Sequence, residues 1–181
     1  MPVTTFSVRF LGCKVSHTDA QEVRERLLAD GHLEQSPRAG ADVAVVNTCC
    51  VTHEAVRKSR QAAARAARTH TRVYVTGCAA NLAGEAFSGL PANVTVVSRP
   101  SEQTPAFVAG DVGAIGCVQT DARLDRVRAF VKIQDGCSFS CNFCVIPLVR
   151  GASRSRSAAA VLDEVRRRVA HGHREREPEP R

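Results

Sequence analysis

Three apolar segments in the first half of the chain each end just before a cysteine, and amphipathic stretches separate them. The segments are Phe10-Leu-Gly-Cys13, Val46-Asn-Thr-Cys49 and Val75-Thr-Gly-Cys78. The stretches between them, residues 19–29 and 53–68, show the apolar periodicity of helices. Strands that alternate with helices pair in parallel. We therefore expect an α/β fold with a flavodoxin-like, doubly wound parallel sheet.

The same patterns divide the chain into two folded regions. The predicted strands are residues 6–11, 43–46, 72–76, 94–97 and 128–133. The last strand is followed by a predicted helix at residues 157–170, which makes one further βα unit. The expected boundaries are residues 1–118 for the first domain, 119–127 for a linker, 128–172 for the second region and 173–181 for a disordered, charged tail.

The three cysteines occupy equivalent places, each just past the end of a strand. Parallel strands bring their carboxyl ends to one edge of the sheet, about 4.8 Å apart, and open α/β sheets bind ligands at that edge. Cys13, Cys49 and Cys78 are therefore expected to converge, and three thiolates can hold an iron–sulfur cluster. Any one of them alone could be a small apolar residue.

A second set of cysteines, Cys137, Cys141 and Cys144, lies within eight residues after the predicted strand 128–133. Structural zinc usually takes four protein ligands, whereas an iron–sulfur cluster can leave one iron without a protein ligand. The spacing alone leaves both metals open. The chain has eight cysteines and no signal-like N-terminus, so we expect a cytoplasmic location, where thiols serve metals rather than disulfides.

The residues around both sets resemble the radical S-adenosylmethionine methylthiotransferases. The second set is flanked by Lys132-Ile-Gln-Asp-Gly-Cys137 and by Ile146-Pro-Leu-Val-Arg-Gly151. In the first half, Gly12-Cys-Lys-Val15, Asn47-Thr-Cys49 and Thr76-Gly-Cys78 match the N-terminal domain of the same family. The match is nearest to the branch that acts on N6-threonylcarbamoyladenosine next to the tRNA anticodon.

This resemblance implies two [4Fe-4S] clusters, S-adenosyl-L-methionine as cofactor and a methylthio group added to C2 of the adenosine. Cys137, Cys141 and Cys144 would bind the radical-generating cluster, and Cys13, Cys49 and Cys78 would bind the sulfur-supplying one. Phe143 would lie beside the adenosine of the cofactor or be a core residue, and Arg154, with Arg150 and Arg156, could reach a phosphate or the cofactor carboxylate. The implied partners are the tRNA anticodon loop and a reductant such as flavodoxin or ferredoxin.

The second region is short for this family. A β/α barrel takes about 250 residues, so residues 128–181 supply the first βα unit of an incomplete barrel. We therefore expect a truncated chain with little or no turnover alone.

Two other functions stay open at this point. One is a non-catalytic RNA-binding module that holds an iron–sulfur cluster, or zinc through Cys137, Cys141, Cys144 and a fourth ligand such as Cys117. The other is methylthiolation of a ribosomal protein. The formal charge of +7 suits an RNA partner. Arg57, Arg60 and Arg68 could form an RNA-facing stripe or a solvated helix face.

The remaining cysteines and the histidines are given no ligand role. Cys50 and Cys117 are expected to be structural or incidental, and all six histidines are expected at the surface. No apolar run approaches the roughly 20 residues that cross a bilayer, so no membrane partner is expected.

Overall fold

The computed structural model of the chain describes residues 3–37, 39–82, 84–98, 103–112, 129–170 and 172–173. The predicted boundary at residue 118, the linker at 119–127 and Cys117 lie outside these residues. So does the predicted tail, apart from His173.

Within the described residues, the centre of the molecule is a five-stranded parallel sheet. Its strands are β1 (Thr5–Phe10), β2 (Leu33–Glu34), β3 (Val43–Thr48), β4 (Arg72–Gly77) and β5 (Val94–Val96). Their order in space is β2-β1-β3-β4-β5. This order confirms the flavodoxin-like sheet and makes the three cysteine-bearing strands, β1, β3 and β4, direct neighbours.

Helices cover both faces of the sheet. They are α1 (Lys14–Ala29), α2 (His53–Ala66), α3 (Cys78–Leu82) and α4 (Thr104–Val112), with a short 3-10 turn at Gly84–Phe87. All six residues of β3 are buried. Successive side chains of a strand point to opposite faces, and accordingly Val43 and Val45 pack with α1 and α4, whereas Ala44 and Val46 pack with α2 and α3.

The second region is a small antiparallel unit beside the sheet. It contains β6 (Gln134–Asp135), α5 (Ile146–Arg150), β7 (Arg154–Ser155) and α6 (Ala158–Ala170), and β6 pairs with β7. The helix predicted at residues 157–170 is confirmed. The strand predicted at 128–133 is not formed at 129–133 and lies instead at 134–135, where the backbone of β7 supplies a hydrogen-bonding partner.

No helix in the described part of the chain combines the length and the apolar character that a membrane span requires.

Candidate metal centre

The first cysteine set lies at the carboxyl edge of the sheet. Cys13 lies between β1 and α1, directly before the first residue of α1. Cys49 follows β3, and Cys78 is the first residue of α3 after β4. The segments that carry Cys13 and Cys49 are in contact, because a Cβ atom built on Gly12 would stand 3.0 Å from the Cβ atom of Cys49. Cys13 is exposed, and Cys49 and Cys78 are each 7% exposed. The structure thus gathers the three strand-end cysteines at one edge, half open to solvent.

Gly77 allows β4 to turn into α3 at this edge. Its φ of +88° lies in the region that favours glycine, and a Cβ atom there would stand 2.1 Å from Oδ1 of Asn47. The neighbouring Thr48 hydroxyl donates to the Thr76 carbonyl at 2.6 Å and accepts from the Ala80 amide at 3.3 Å. These contacts fix the start of α3, and therefore Cys78, against the end of β3.

The thiols of this set differ in their electrostatic surroundings. Burial raises the pKa of Cys13, but hydrogen bonds from Ser16 and Val15 and the charge of Arg150 outweigh it, so the pKa of this thiol is lowered. Burial raises the pKa of Cys78, and the positive charge of the Arg150 guanidinium opposes that rise. Arg150 therefore favours the thiolate forms that metals require.

Cys50 packs in the apolar cluster that also contains Cys78. Burial and the neighbouring Cys78 and Cys49 raise its pKa to about 11. A thiol held protonated in this way is a poor metal ligand, which agrees with the structural role expected for it.

The second cysteine set lies on residues 136–145 between β6 and α5, which we call the cysteine loop. The Cys137 amide donates to the Gly151 carbonyl at 3.0 Å, and the Cys144 amide donates to the Cys141 carbonyl at 3.1 Å. Gly136 has a φ of +73°, and a Cβ atom there would meet the Ala152 carbonyl oxygen at 2.2 Å. The loop is thus closed at its base, with Cys141 exposed and the other two thiols half-buried.

Phe143 lies on this loop, and Arg154 lies beside it. Phe143 is 95% exposed, so the alternative that it is a core residue is wrong. The Arg154 guanidinium donates to the carbonyls of Arg150 and Ala152, at 3.1 and 3.3 Å. Arg154 thereby supports the segment that closes the loop.

Five charged side chains between the two cysteine sets form an ion-pair cluster that the sequence analysis missed. They are Asp19 and Glu22 of α1, Lys132, Asp135 of β6 and Arg150 of α5. Asp19, Lys132, Asp135 and Arg150 are at most 10% exposed at their side chains. Lys132, Asp135 and Arg150 lie in the two motifs that flank the second cysteine set. Their partner Asp19 lies far away in the sequence, where no local pattern marks it.

A small polar cavity adjoins this cluster and the sheet edge. Its volume is about 20 Å³, and its lining includes Asp19, Asn47, Thr76, Cys78 and Arg150. Oδ1 of Asn47 and Oγ1 of Thr76 are buried without a hydrogen-bond partner among the described residues. The cavity has room and polar groups for a single water molecule.

The donor chemistry of both sets fits iron–sulfur clusters. Each set offers three thiols and no oxygen ligand, and soft thiolate ligands suit such clusters. The cation of Arg150 next to Cys13 and Cys78 offsets the negative charge that a thiolate-bound cluster brings. Among the described His, Cys, Asp and Glu side chains, no group of three is already arranged at metal-binding distance.

Two arginines of α2 that were expected to face RNA contact other groups of the protein. Arg57 pairs with Glu54 at 2.7 Å, and Arg60 donates to the carbonyls of Ala86 and Ser88. Arg60 therefore holds the 3-10 turn, which weakens the idea of an RNA-facing stripe on α2.

The expectation that all six histidines lie at the surface is wrong for two of them. His32 is fully buried, and His70 is 6% exposed. Nε2 of His70 hydrogen-bonds the Ser7 hydroxyl at 3.0 Å, and Nδ1 hydrogen-bonds the Thr69 hydroxyl at 2.9 Å. These partners satisfy the ring inside the protein, which offsets the cost of burying it.

The chain is similar to known methylthiotransferases over most of its length. Residues 5–98, just over half of the chain, match the family described as Uncharacterized protein family UPF0004. Over 96% of its length the chain is 32% identical to the threonylcarbamoyladenosine tRNA methylthiotransferase MtaB of Bacillus subtilis. Over 91% it is 34% identical to the ribosomal protein uS12 methylthiotransferase RimO of Thermus thermophilus.

A third relative, the tRNA-2-methylthio-N(6)-dimethylallyladenosine synthase of Chlorobium phaeobacteroides, is 29% identical over 93% of the chain. The chain spans 40 to 42% of the length of these three relatives.

Proposed function

Because the chain belongs to the radical S-adenosylmethionine methylthiotransferase family, we propose that its two cysteine sets hold [4Fe-4S] clusters for methylthio transfer to tRNA. The observation that supports this most is the position of Cys13, Cys49 and Cys78 at the ends of three adjacent strands. No local ligand motif links these residues, so their convergence is a property of the fold.

The proposed roles follow from where the residues lie. Cys13, Cys49 and Cys78 hold one cluster at the sheet edge, and Cys137, Cys141 and Cys144 hold the other on the cysteine loop. When bound, the clusters and S-adenosylmethionine supply the radical and sulfur chemistry, which no side-chain acid or base can replace at an unactivated carbon. The exposed ring of Phe143 is available to lie against the adenosine, and Arg154 is proposed to contact the cofactor carboxylate.

The proposed substrate is threonylcarbamoyladenosine next to the tRNA anticodon, with a flavodoxin or ferredoxin as reductant and the cytoplasm as location. The short motif Cys13-Lys-Val15 and the MtaB relatives favour this branch. The second candidate substrate is a ribosomal protein, which the RimO relatives favour.

Anaerobic reconstitution with iron and sulfide tests the ligand assignment. We expect roughly eight iron and eight acid-labile sulfide per chain, the content of two clusters. The triple serine variant of Cys13, Cys49 and Cys78 should keep about half of the iron, and so should the triple serine variant of the loop cysteines.

The matched control is Cys50→Ser, which removes a thiol at the same sheet edge and should leave the iron content unchanged. Loss of iron in this control would contradict the ligand assignment. Stoichiometric zinc in a colourless protein would contradict it too, and would favour the zinc-binding RNA module.

The reconstituted chain is then assayed on unmodified tRNA and on ribosomal protein uS12. Methylthiolation of the ribosomal protein but not of tRNA would replace the proposed substrate with the second candidate.

A further inference from the structure

The ion-pair cluster joins the sheet to the cysteine loop through Arg150. Nη2 of Arg150 lies 2.6 Å from Oδ2 of Asp19 on α1, and Nη1 lies 2.9 Å from Oδ1 of Asp135. Asp135 is two residues before Cys137. One guanidinium therefore bridges a carboxylate of the sheet domain and a carboxylate at the start of the cysteine loop.

Arg150 also lies next to both cysteine sets. Its side chain lines the same small cavity as Cys78. The residue after it, Gly151, accepts the amide of Cys137 at 3.0 Å. The side chain is thus anchored at the sheet edge, while its own backbone segment anchors the cysteine loop.

The remaining members of the cluster, Lys132 and Glu22, form a further ion pair beside Asp19. Lys132 lies 2.7 Å from Asp19 and 3.1 Å from Glu22. Asp19 consequently accepts from two buried cations, both supplied by the second region. Removal of either partner of Arg150 would break one of its two buried ion pairs, which costs more than the loss of a surface ion pair.

We propose that Arg150 is a positioning residue that, through Asp19, holds the cysteine loop against the thiols at the sheet edge. The purpose of this role rests on the proposed function, because the two cysteine sets are the proposed cluster sites. The arrangement of the cysteine loop depends on the ion pairs and requires no iron–sulfur cluster. It can therefore be tested in the metal-free chain, where a failure is distinguishable from a failure of the proposed function.

The test is amide hydrogen exchange of the reduced, metal-free chain, followed by mass spectrometry. Arg150→Gln and Asp19→Asn are each expected to speed exchange in the cysteine loop about tenfold or more, with little change in the buried strand β3. The effect of Asp19→Asn is diagnostic because Asp19 lies on α1, far from the loop in sequence.

The double variant shows whether the two residues act together. If Arg150 works through Asp19, the double variant should exchange about as fast as either single variant, because the second change removes a contact already lost. Multiplied single effects in the double variant would overturn the proposal, as would unchanged loop exchange in Arg150→Gln.

The matched control is Arg168→Gln. Arg168 is 15% exposed and pairs with Glu25 and Glu164, so it joins α6 to α1 without touching the cysteine loop. Its loss should leave loop exchange unchanged, and an equal effect in this variant would overturn the assignment to Arg150.

A conservative variant covers the case in which Arg150→Gln unfolds the whole protein, which faster exchange in β3 would reveal. Arg150→Lys keeps the charge but lacks the planar fork that spans two carboxylates. It should keep β3 protected and speed loop exchange less than the glutamine variant. Normal loop exchange in the lysine variant, together with global unfolding of the glutamine variant, would overturn the proposal.

Discussion

Tyr74 is the only tyrosine of the chain, and the chain contains no tryptophan. It lies in the core of β4, 1% exposed, and its hydroxyl donates to Asp111 on α4. Burial, followed by the hydrogen bond to Asp111, raises its pKa to about 12. A single buried phenol therefore reports on the packing of α4 against the sheet without any added label.

We predict that alkaline titration, followed by the near-ultraviolet band of tyrosinate, has its midpoint near pH 12. The folded protein then holds this proton more tightly than the unfolded chain, whose tyrosine pKa is about 10. Stability from this group is present in full below pH about 10 and is lost as the pH rises to about 12. In Asp111→Asn the midpoint should fall towards about 10. A midpoint near about 10 in the folded, unmodified protein would contradict the packing of Tyr74 against α4.

Single residues also show where sequence reasoning stops. The cysteines could be assigned to two sets because each stands in a repeated or compact pattern. The burial of His70 and of Asp19 could not be predicted in this way. Their partners Ser7, Lys132 and Arg150 come from distant parts of the chain. Hydrogen bonds and ion pairs that satisfy a buried polar group leave no mark in the local sequence.

The turn between β4 and α3 depends on the absence of a side chain at Gly77. We predict that Gly77→Ala lowers the free energy of unfolding by about 2 kcal/mol or more, because a positive φ and a clash with Asn47 and Thr48 combine. Urea unfolding of the reduced, metal-free chain measures the change.

Gly110→Ala is the matched control within a helix. Gly110 lies in α4, and a Cβ atom there would meet nothing within 4 Å. This substitution should stabilise the protein by roughly 0.5 to 1 kcal/mol, because alanine is the better helix former. Equal destabilisation by both substitutions would show that the turn at Gly77 carries no special constraint.

At the level of elements, the long periodic segments were predictable and the short ones were not. The helix α2 begins at residue 53 as expected, because Thr52 caps it by accepting the Ala55 amide at 3.0 Å. The strand β2 has two residues, both exposed, and so lacks an apolar pattern. The strand expected at 128–133 moved because alternation predicts an extended segment but not its hydrogen-bonding partner.

At the scale of the whole molecule, burial is concentrated in the sheet domain. Every residue of β3 is buried, whereas Glu164 is the only buried residue of α6, a helix that the structure describes completely. Leu162, Val165 and Val169 of α6 are all more than a third exposed. The two regions therefore differ in how much apolar surface holds them in place.

We predict that hydrogen exchange of the unmodified chain follows this difference. Amides of β3 should be the slowest to exchange, because they open only when the whole sheet unfolds. Amides of α6 should exchange faster by at least about tenfold, since few packed side chains resist their opening. Equal protection of α6 and β3, read from peptides of each, would contradict this order.

Asp19 sits on α1, but both of its buried cationic partners, Lys132 and Arg150, belong to the other region. The two halves therefore cannot be exchanged independently with those of a relative. A chimera that joined this α1 to a second region lacking both cations would bury an uncompensated carboxylate, at a cost of about 3 to 5 kcal/mol. A chimera is therefore expected to fold stably only if it keeps Lys132 and Arg150 together with Asp19.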